Sequence, residues 1–122
     1  KPVAVSTYTW AVDASAALEA STITKAAPGV LRMVTGRIDS THATAVYYWQ
    51  TYNSTTLPAD GAVTLLTAPL KISHTNGTNT NFSIDYTMNG IWASTGIVQA
   101  LSTTEFTKTI SGAFTSTNTL YK

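Results

Sequence analysis

From position 82 the chain reads Phe82-Ser83-Ile84-Asp85-Tyr86-Thr87-Met88-Asn89-Gly90-Ile91-Trp92-Ala93. Phe82, Ile84, Tyr86 and Met88 share one parity, and Ser83, Asp85 and Thr87 the other. Successive side chains of a strand point to opposite faces, so this period of two predicts a half-buried β-strand. Asn89-Gly90 supplies the residue types that adopt positive φ in a two-residue hairpin, here leading into Ile91-Trp92-Ala93.

The same signals extend in both directions. Val3 to Val12 alternates loosely and reads as a first strand, and Ser21 to Lys25 as another. Pro28-Gly29 is a turn signal before Val30 to Asp39, where apolar residues fall on both parities and Gly36 suggests a bulge. Ala43 to Tyr52 is the most aromatic segment, with Tyr47 and Trp49 on one face and Val46, Tyr48 and Tyr52 on the other. Leu57-Pro58-Ala59-Asp60-Gly61 reads as a turn, and Val63 to Ile72 as a strand interrupted at Pro69. His74 to Asn81 has a loop composition. Gly96 to Ser102 is a further strand, and Phe106 to Tyr121 supplies one or two more. Only Asp13 to Ala20 is helix-like, and at eight residues it is shorter than the ~12–15 that an isolated helix needs, so one docked turn or the approach to a strand is expected there. With 122 residues the chain has the length of one domain, 1–122. The prediction is all-β: an antiparallel two-sheet sandwich, jelly-roll or Greek-key-like, of about eight or nine strands.

Composition supports the strands. The 24 Thr and 11 Ser make 35 of 122 residues. Threonine is β-branched and suits a pleated surface, where an outward hydroxyl gives polarity without charge. Seven Lys+Arg against six Asp+Glu leave a net charge of +1. That balance generates no long-range field and argues against nucleic acid or an anionic membrane as partner. With no cysteine, disulfides and thiol chemistry are excluded. No 18-residue apolar run is present to cross a membrane as a helix. The start, Lys1-Pro2-Val3, has neither Met nor a charged-then-apolar leader, which fits a processed chain, a truncated one or a piece of something longer.

Motifs for catalysis are missing: there is no G-x-S-x-G, Walker loop, H-E-x-x-H or G-x-G-x-x-G, so the expectation is no enzyme, no cofactor and no metal. His42 and His74 sit in turn-like sequence without ligand partners at suitable spacing and are expected to be exposed loop residues. Trp10 and Trp92 are expected in the core, because large aromatics are highly buried on average. Tyr47, Tyr48, Trp49, Gln50 and Tyr52 are the candidate interface or ligand platform. Their rings suit the edge of a small core, a subunit interface, or a sugar-stacking surface in which Tyr48 and Tyr52 flank Gln50. Three N-x-S/T sequons, at Asn53, Asn76 and Asn81, are what so hydroxyl-rich a composition produces by accident.

The ordered succession Lys25-Ala26-Ala27-Pro28-Gly29-Val30-Leu31, Tyr48-Trp49-Gln50, Leu57-Pro58-Ala59-Asp60-Gly61, Phe82-Ser83-Ile84-Asp85-Tyr86 and Gly96-Ile97-Val98-Gln99-Ala100-Leu101-Ser102-Thr103-Thr104 resembles small β-sandwich virion proteins of tailed bacteriophages. The resemblance runs over about residues 25–110 and implies a capsid decoration or cement subunit, or a head or tail appendage protein. Such a protein is located in the virion, on the capsid surface or an appendage. It has no catalytic residues, and its partners are the major capsid protein or other virion proteins and copies of itself. The aromatic strand and the ends, Lys1 to Val5 and Thr115 to Lys122, would be the contact elements. The alternative is a carbohydrate- or receptor-binding β-sandwich module of a phage fibre or a secreted protein.

Overall fold

A computed structural model describes residues 10–15 and 17–122. Among them there is no helix, and eleven strands follow one another: β1 (Ala11–Ala14), β2 (Ser21–Lys25), β3 (Gly29–Ile38), β4 (Ala45–Tyr52), β5 (Gly61–Ala62), β6 (Leu70–His74), β7 (Thr80–Asp85), β8 (Ile91–Ala93), β9 (Ile97–Ser102), β10 (Thr107–Lys108) and β11 (Thr115–Tyr121). All pairings are antiparallel. Sheet I has the order β1-β11-β3-β7, with β8 pairing with β3 beyond the end of β7. Sheet II is β2-β9-β4-β6, and β5 and β10 form a two-stranded ribbon.

Setting aside the ribbon and β8, the eight principal strands lie first-eighth-third-sixth in sheet I and second-seventh-fourth-fifth in sheet II. That interleaving is the jelly-roll order, so the expected fold class holds, with a few more strands than expected. Leu31, Val34, Ile38, Phe82 and Ala93 of sheet I meet Tyr47, Trp49, Ile72, Ile97 and Leu101 of sheet II in the core.

Several local expectations change. In β3, Leu31 and Val34 are both fully buried although they are of opposite parity. The register against β11 slips from Leu120↔Met33 to Tyr121↔Leu31, leaving Arg32 as the extra residue. This bulge resets which side chains face inward. Gly36 is not the bulge. It pairs regularly with Phe82 and Thr117, and a Cβ there would come within 2.3 Å of the Phe82 ring. Nor do β7 and β8 form a hairpin. Both pair with β3, so the 86–90 connection offsets the chain along one neighbour instead of reversing it. Thr87 and Gly90 take positive φ there, and a Cβ on Gly90 would meet the Leu31 carbonyl oxygen at 2.7 Å.

The helix-like segment is extended too. Ser15 donates its N–H to Thr117, and Glu19 and Thr115 exchange backbone bonds, so the edge of β11 takes the groups a helix would have used. Of Val3 to Val12, residues 3–9 lie outside the described residues. Thr115 to Lys122 is no loose end, because β11 lies between β1 and β3. Its Thr115, Thr117 and Thr119 point inward and are buried, so these hydroxyls belong to the interior and not to the surface. Trp92 also departs from expectation. At this end Leu31 and Ala93 take the inward parity, which leaves Trp92 62% exposed on the outer face.

Candidate functional site

The outer face of sheet II is roofed by the chain itself. Val98, Ala100 and Tyr52 form a second apolar cluster under Val63, Leu65 and Ile110. Leu65 bridges to Tyr52 and Ile110 to Ser102, with the β5–β10 ribbon spanning the two segments. Lys108 of the ribbon is buried and pairs with the Asp60 carboxylate, which holds that carboxyl below the usual range. This roof explains why every residue of β9 is buried and why neither face of β4 is polar.

It also decides the fate of the aromatic strand. Tyr47 and Trp49 face the main core, and Tyr52 and Gln50 are sealed beneath the roof, all four buried; Tyr48 alone is half-buried. Trp49 Nε1 donates to Gln99 Oε1 at 3.0 Å, and Gln99 Nε2 donates to the Thr24 and Thr119 hydroxyls, both at 2.9 Å. Gln99 therefore joins the two sheets through a satisfied buried amide. Tyr52 donates to Gln50 Oε1 at 2.6 Å, and Gln50 Nε2 donates to the carbonyls of Thr104, Glu105 and Thr107 at 2.7–2.9 Å. Burial, and then the Asp60 charge, push the Tyr52 phenol pKa well up. Of the expected platform, Tyr47, Trp49, Gln50 and Tyr52 are therefore core and Tyr48 alone keeps partial exposure, so Tyr48 and Tyr52 do not present a sugar-stacking pair.

The histidines are core as well, against expectation. His42 stacks between Phe114, at a centroid distance of 3.9 Å, and Tyr47, at 4.3 Å. His74 hydrogen-bonds Thr80 Oγ1 at 2.7 Å and the His42 carbonyl at 3.2 Å. Among the described residues no group of three or more His, Cys, Asp or Glu is placed to hold a metal ion.

Among the described residues nothing covers the outer face of sheet I in this way, and the face divides into two parts. At one end Trp92 pairs with Val30, Val30 exchanges backbone bonds with Lys122, and Lys122 Nζ lies 4.4 Å from the Trp10 ring centroid, a cation–π contact. The next row is Val12, Leu120 and Met33, ending at Asp85, which pairs with Arg32. Val12 is 64% exposed, and Met88, in the turn before β8, is 83% exposed. The remaining exposed large apolar side chains, Leu18, Ile23, Val46, Leu57 and Phe106, lie on separate segments.

Toward the other end the face becomes polar and hollow. Ser116, Arg37 and Asn81 form one cross-strand row, and Asn118, Thr35 and Ser83 the next. Together they line an open concavity of about 590 Å³. None of these residues was singled out from the sequence. The usable signal was the polar parity of Thr35 and Arg37 and of Asn81 and Ser83, but only the pairing of three distant strands makes them neighbours.

No protein-family model matches the chain, and neither a curated protein nor a solved structure matches it significantly.

Proposed function

We propose that this chain is a non-enzymatic structural subunit of a tailed-bacteriophage virion, a capsid decoration or cement protein that binds the capsid lattice and neighbouring copies. The sequence resemblance suggests the class. The jelly roll is compatible with it, although a fold of this kind hosts many functions and does not by itself select one. The observation that carries the reading is the asymmetry of the sandwich. Sheet II is covered by its own chain, whereas among the described residues sheet I exposes Trp92 at one end of a row and Val12 at the opposite end of the next, with the half-buried Val30, Met33 and Leu120 between them and Met88 in the connection before β8. Contiguous exposed apolar surface rimmed by polar residues marks protein–protein contacts, and tryptophan is enriched where such contacts are strongest. Lys25 and Lys122 border a cleft of about 290 Å³ beside Trp92.

The test is co-sedimentation of the purified protein with phage particles stripped of their decoration. Wild type is expected in the pellet. Trp92→Ala, which removes an exposed ring and leaves the core intact, is expected to bind at least about tenfold more weakly. A wild-type protein that stays monomeric and remains in the supernatant would refute the proposal.

A further inference from the structure

The polar hollow on sheet I has a chemistry of its own. Its side chains come from β11, β3 and β7, three adjacent strands of one ladder, so the groups are held on a rigid surface and not on loops. Strand spacing of ~4.8 Å makes the field roughly 10 Å across, and its volume falls within the ~300–1,000 Å³ typical of small-molecule sites. Gly36, between Thr35 and Arg37, contributes only backbone to the lining, and the large Phe82 ring behind it points into the core.

The composition is selective. Ser83, Ser116 and Thr35 each offer a hydroxyl that both donates and accepts, and Asn81 and Asn118 each offer a carbonyl and an amide. Among the described residues, no side chain of these five, nor of Arg37, is engaged in a hydrogen bond or ion pair. Elsewhere the same residue types are used internally: Asn53 bonds Ser94 and the N–H groups of Thr95 and Gly96, and Asn76 bonds the carbonyls of Ser40 and His42. The contrast singles out the hollow as a place where donor–acceptor capacity is left for a ligand.

Among the described residues Arg37 is the only charged one lining it. Asp39, two residues on, turns its Oδ2 to the N–H and hydroxyl of Thr41, at 3.2 and 2.6 Å. Among the described residues Arg37 forms no ion pair, and its guanidinium has the geometry for a two-pronged contact with an incoming carboxylate. A small inorganic anion can take donors from Arg37 and its nearest neighbours only, and it leaves the acceptor capacity of the hydroxyls and amide carbonyls unused. A ligand with many hydroxyls and one carboxylate per unit uses all of them.

We propose that this hollow binds an acidic polysaccharide, with the carboxylate of one uronic-acid unit on Arg37 and the ring hydroxyls of that unit and its neighbour on Asn81, Asn118, Ser83, Thr35 and Ser116. The hollow is open, and Phe82, one of its lining residues, is packed into the core, so a single site is expected to bind in the millimolar range.

The experiment is a nuclear magnetic resonance titration of the isotope-labelled full chain with a trigalacturonate, with the neutral galactose trimer and with inorganic phosphate. Saturable shifts confined to Thr35, Arg37, Asn81, Ser83, Ser116 and Asn118 are expected with the acidic sugar, and shifts at least about fivefold weaker with the other two. Arg37→Gln should weaken the acidic sugar at least about tenfold, with the rest of the spectrum unchanged. Asn81→Ala, on the outermost strand, should weaken both sugars alike and provides a second variant. The proposal is overturned by an absence of shifts up to about 20 mM sugar, by shifts located elsewhere, by phosphate matching the uronate, or by unchanged affinity in Arg37→Gln. Because the titration reads the isolated chain, its outcome is independent of whether the protein binds phage particles.

Discussion

His42 carries an imidazole pressed between two aromatic rings, with Nε2 buried and without a partner. Burial first, and the adjacent His74 second, hold its pKa below the usual value near 6.5. The groups facing it are Tyr47 on β4, His74 on β6 and Phe114 before β11, and none is an anion that would favour protonation. The unfolded chain therefore binds a proton more readily than the folded one. Stability is full above about pH 6.5 and falls as pH drops below that value, down to the lowered folded pKa. Asp39, Asp60 and Asp85 are all held below the ordinary carboxylate range, so they titrate under this window. Urea midpoints at about pH 7.5 and 5.5 should show the loss, and His42→Phe, which keeps the ring stack, should remove most of it. A midpoint independent of pH in the wild type would contradict this account. Nothing in the sequence flagged His42, since a turn-like context gives no hint that the loop folds inward.

Among elements, the roof over sheet II is tethered by buried polar side chains: Ser102 Oγ bonds Thr104 and Thr109, Lys108 pairs with Asp60, and Gln50 makes the largest set of bonds to carbonyls. Gln50 Nε2 reaches three carbonyls of the turn between β9 and β10, and its Oε1 receives the Tyr52 hydroxyl. Gln50→Leu keeps similar bulk but strands the Tyr52 hydroxyl and the Glu105 carbonyl, at a cost of about 2–3 kcal/mol. Amide exchange should accelerate first at residues 103–109, ahead of β3 and β9, because the turn loses its tether while the main core does not. Equal exchange in mutant and wild type would place the tether elsewhere. At this scale the strands were largely legible: the period of two at Phe82 to Tyr86 and the strands within Ala43 to Tyr52 and Gly96 to Ser102 read correctly. The connection at Asn89-Gly90 did not, because a positive-φ pair can offset a strand as well as reverse it, and only the pairing of both flanks with β3 distinguishes the two.

At the level of the whole molecule, the jelly roll places the last strand inside the first sheet. β11 separates β1 from β3 and brings Thr119 to the Gln99 amide. A chain lacking residues 115–122 would expose the inner flank of β3, leave β1 without a neighbour and open the core over Val34 and Ile38. It is expected not to fold, with loss of the dispersed amide spectrum, whereas Asn118→Ala on the outer face should change stability by no more than about 0.5 kcal/mol. A truncated chain that retained its spectrum would show that β11 is dispensable.

The sequence by itself determined the class of fold, because strand alternation, β-branched hydroxyl residues and Gly/Pro/Asn turns are local properties of the chain. It also placed most strands and limited the chemistry to that of a weakly charged, cysteine-free surface. Only the tertiary structure decided which aromatics are buried. The five residues Tyr47, Tyr48, Trp49, Gln50 and Tyr52 read as a platform because a strand apolar on both parities has one face too many for a two-layer sandwich. The ribbon of β5 and β10, distant in sequence, supplies the third layer that covers it. The open face emerged in the same way: Arg37, Asn81 and Asn118 are unremarkable at their own positions and become one surface only where three strands lie side by side. Alternation fixes which way a side chain points relative to its own strand, whereas burial depends on what is stacked above that strand.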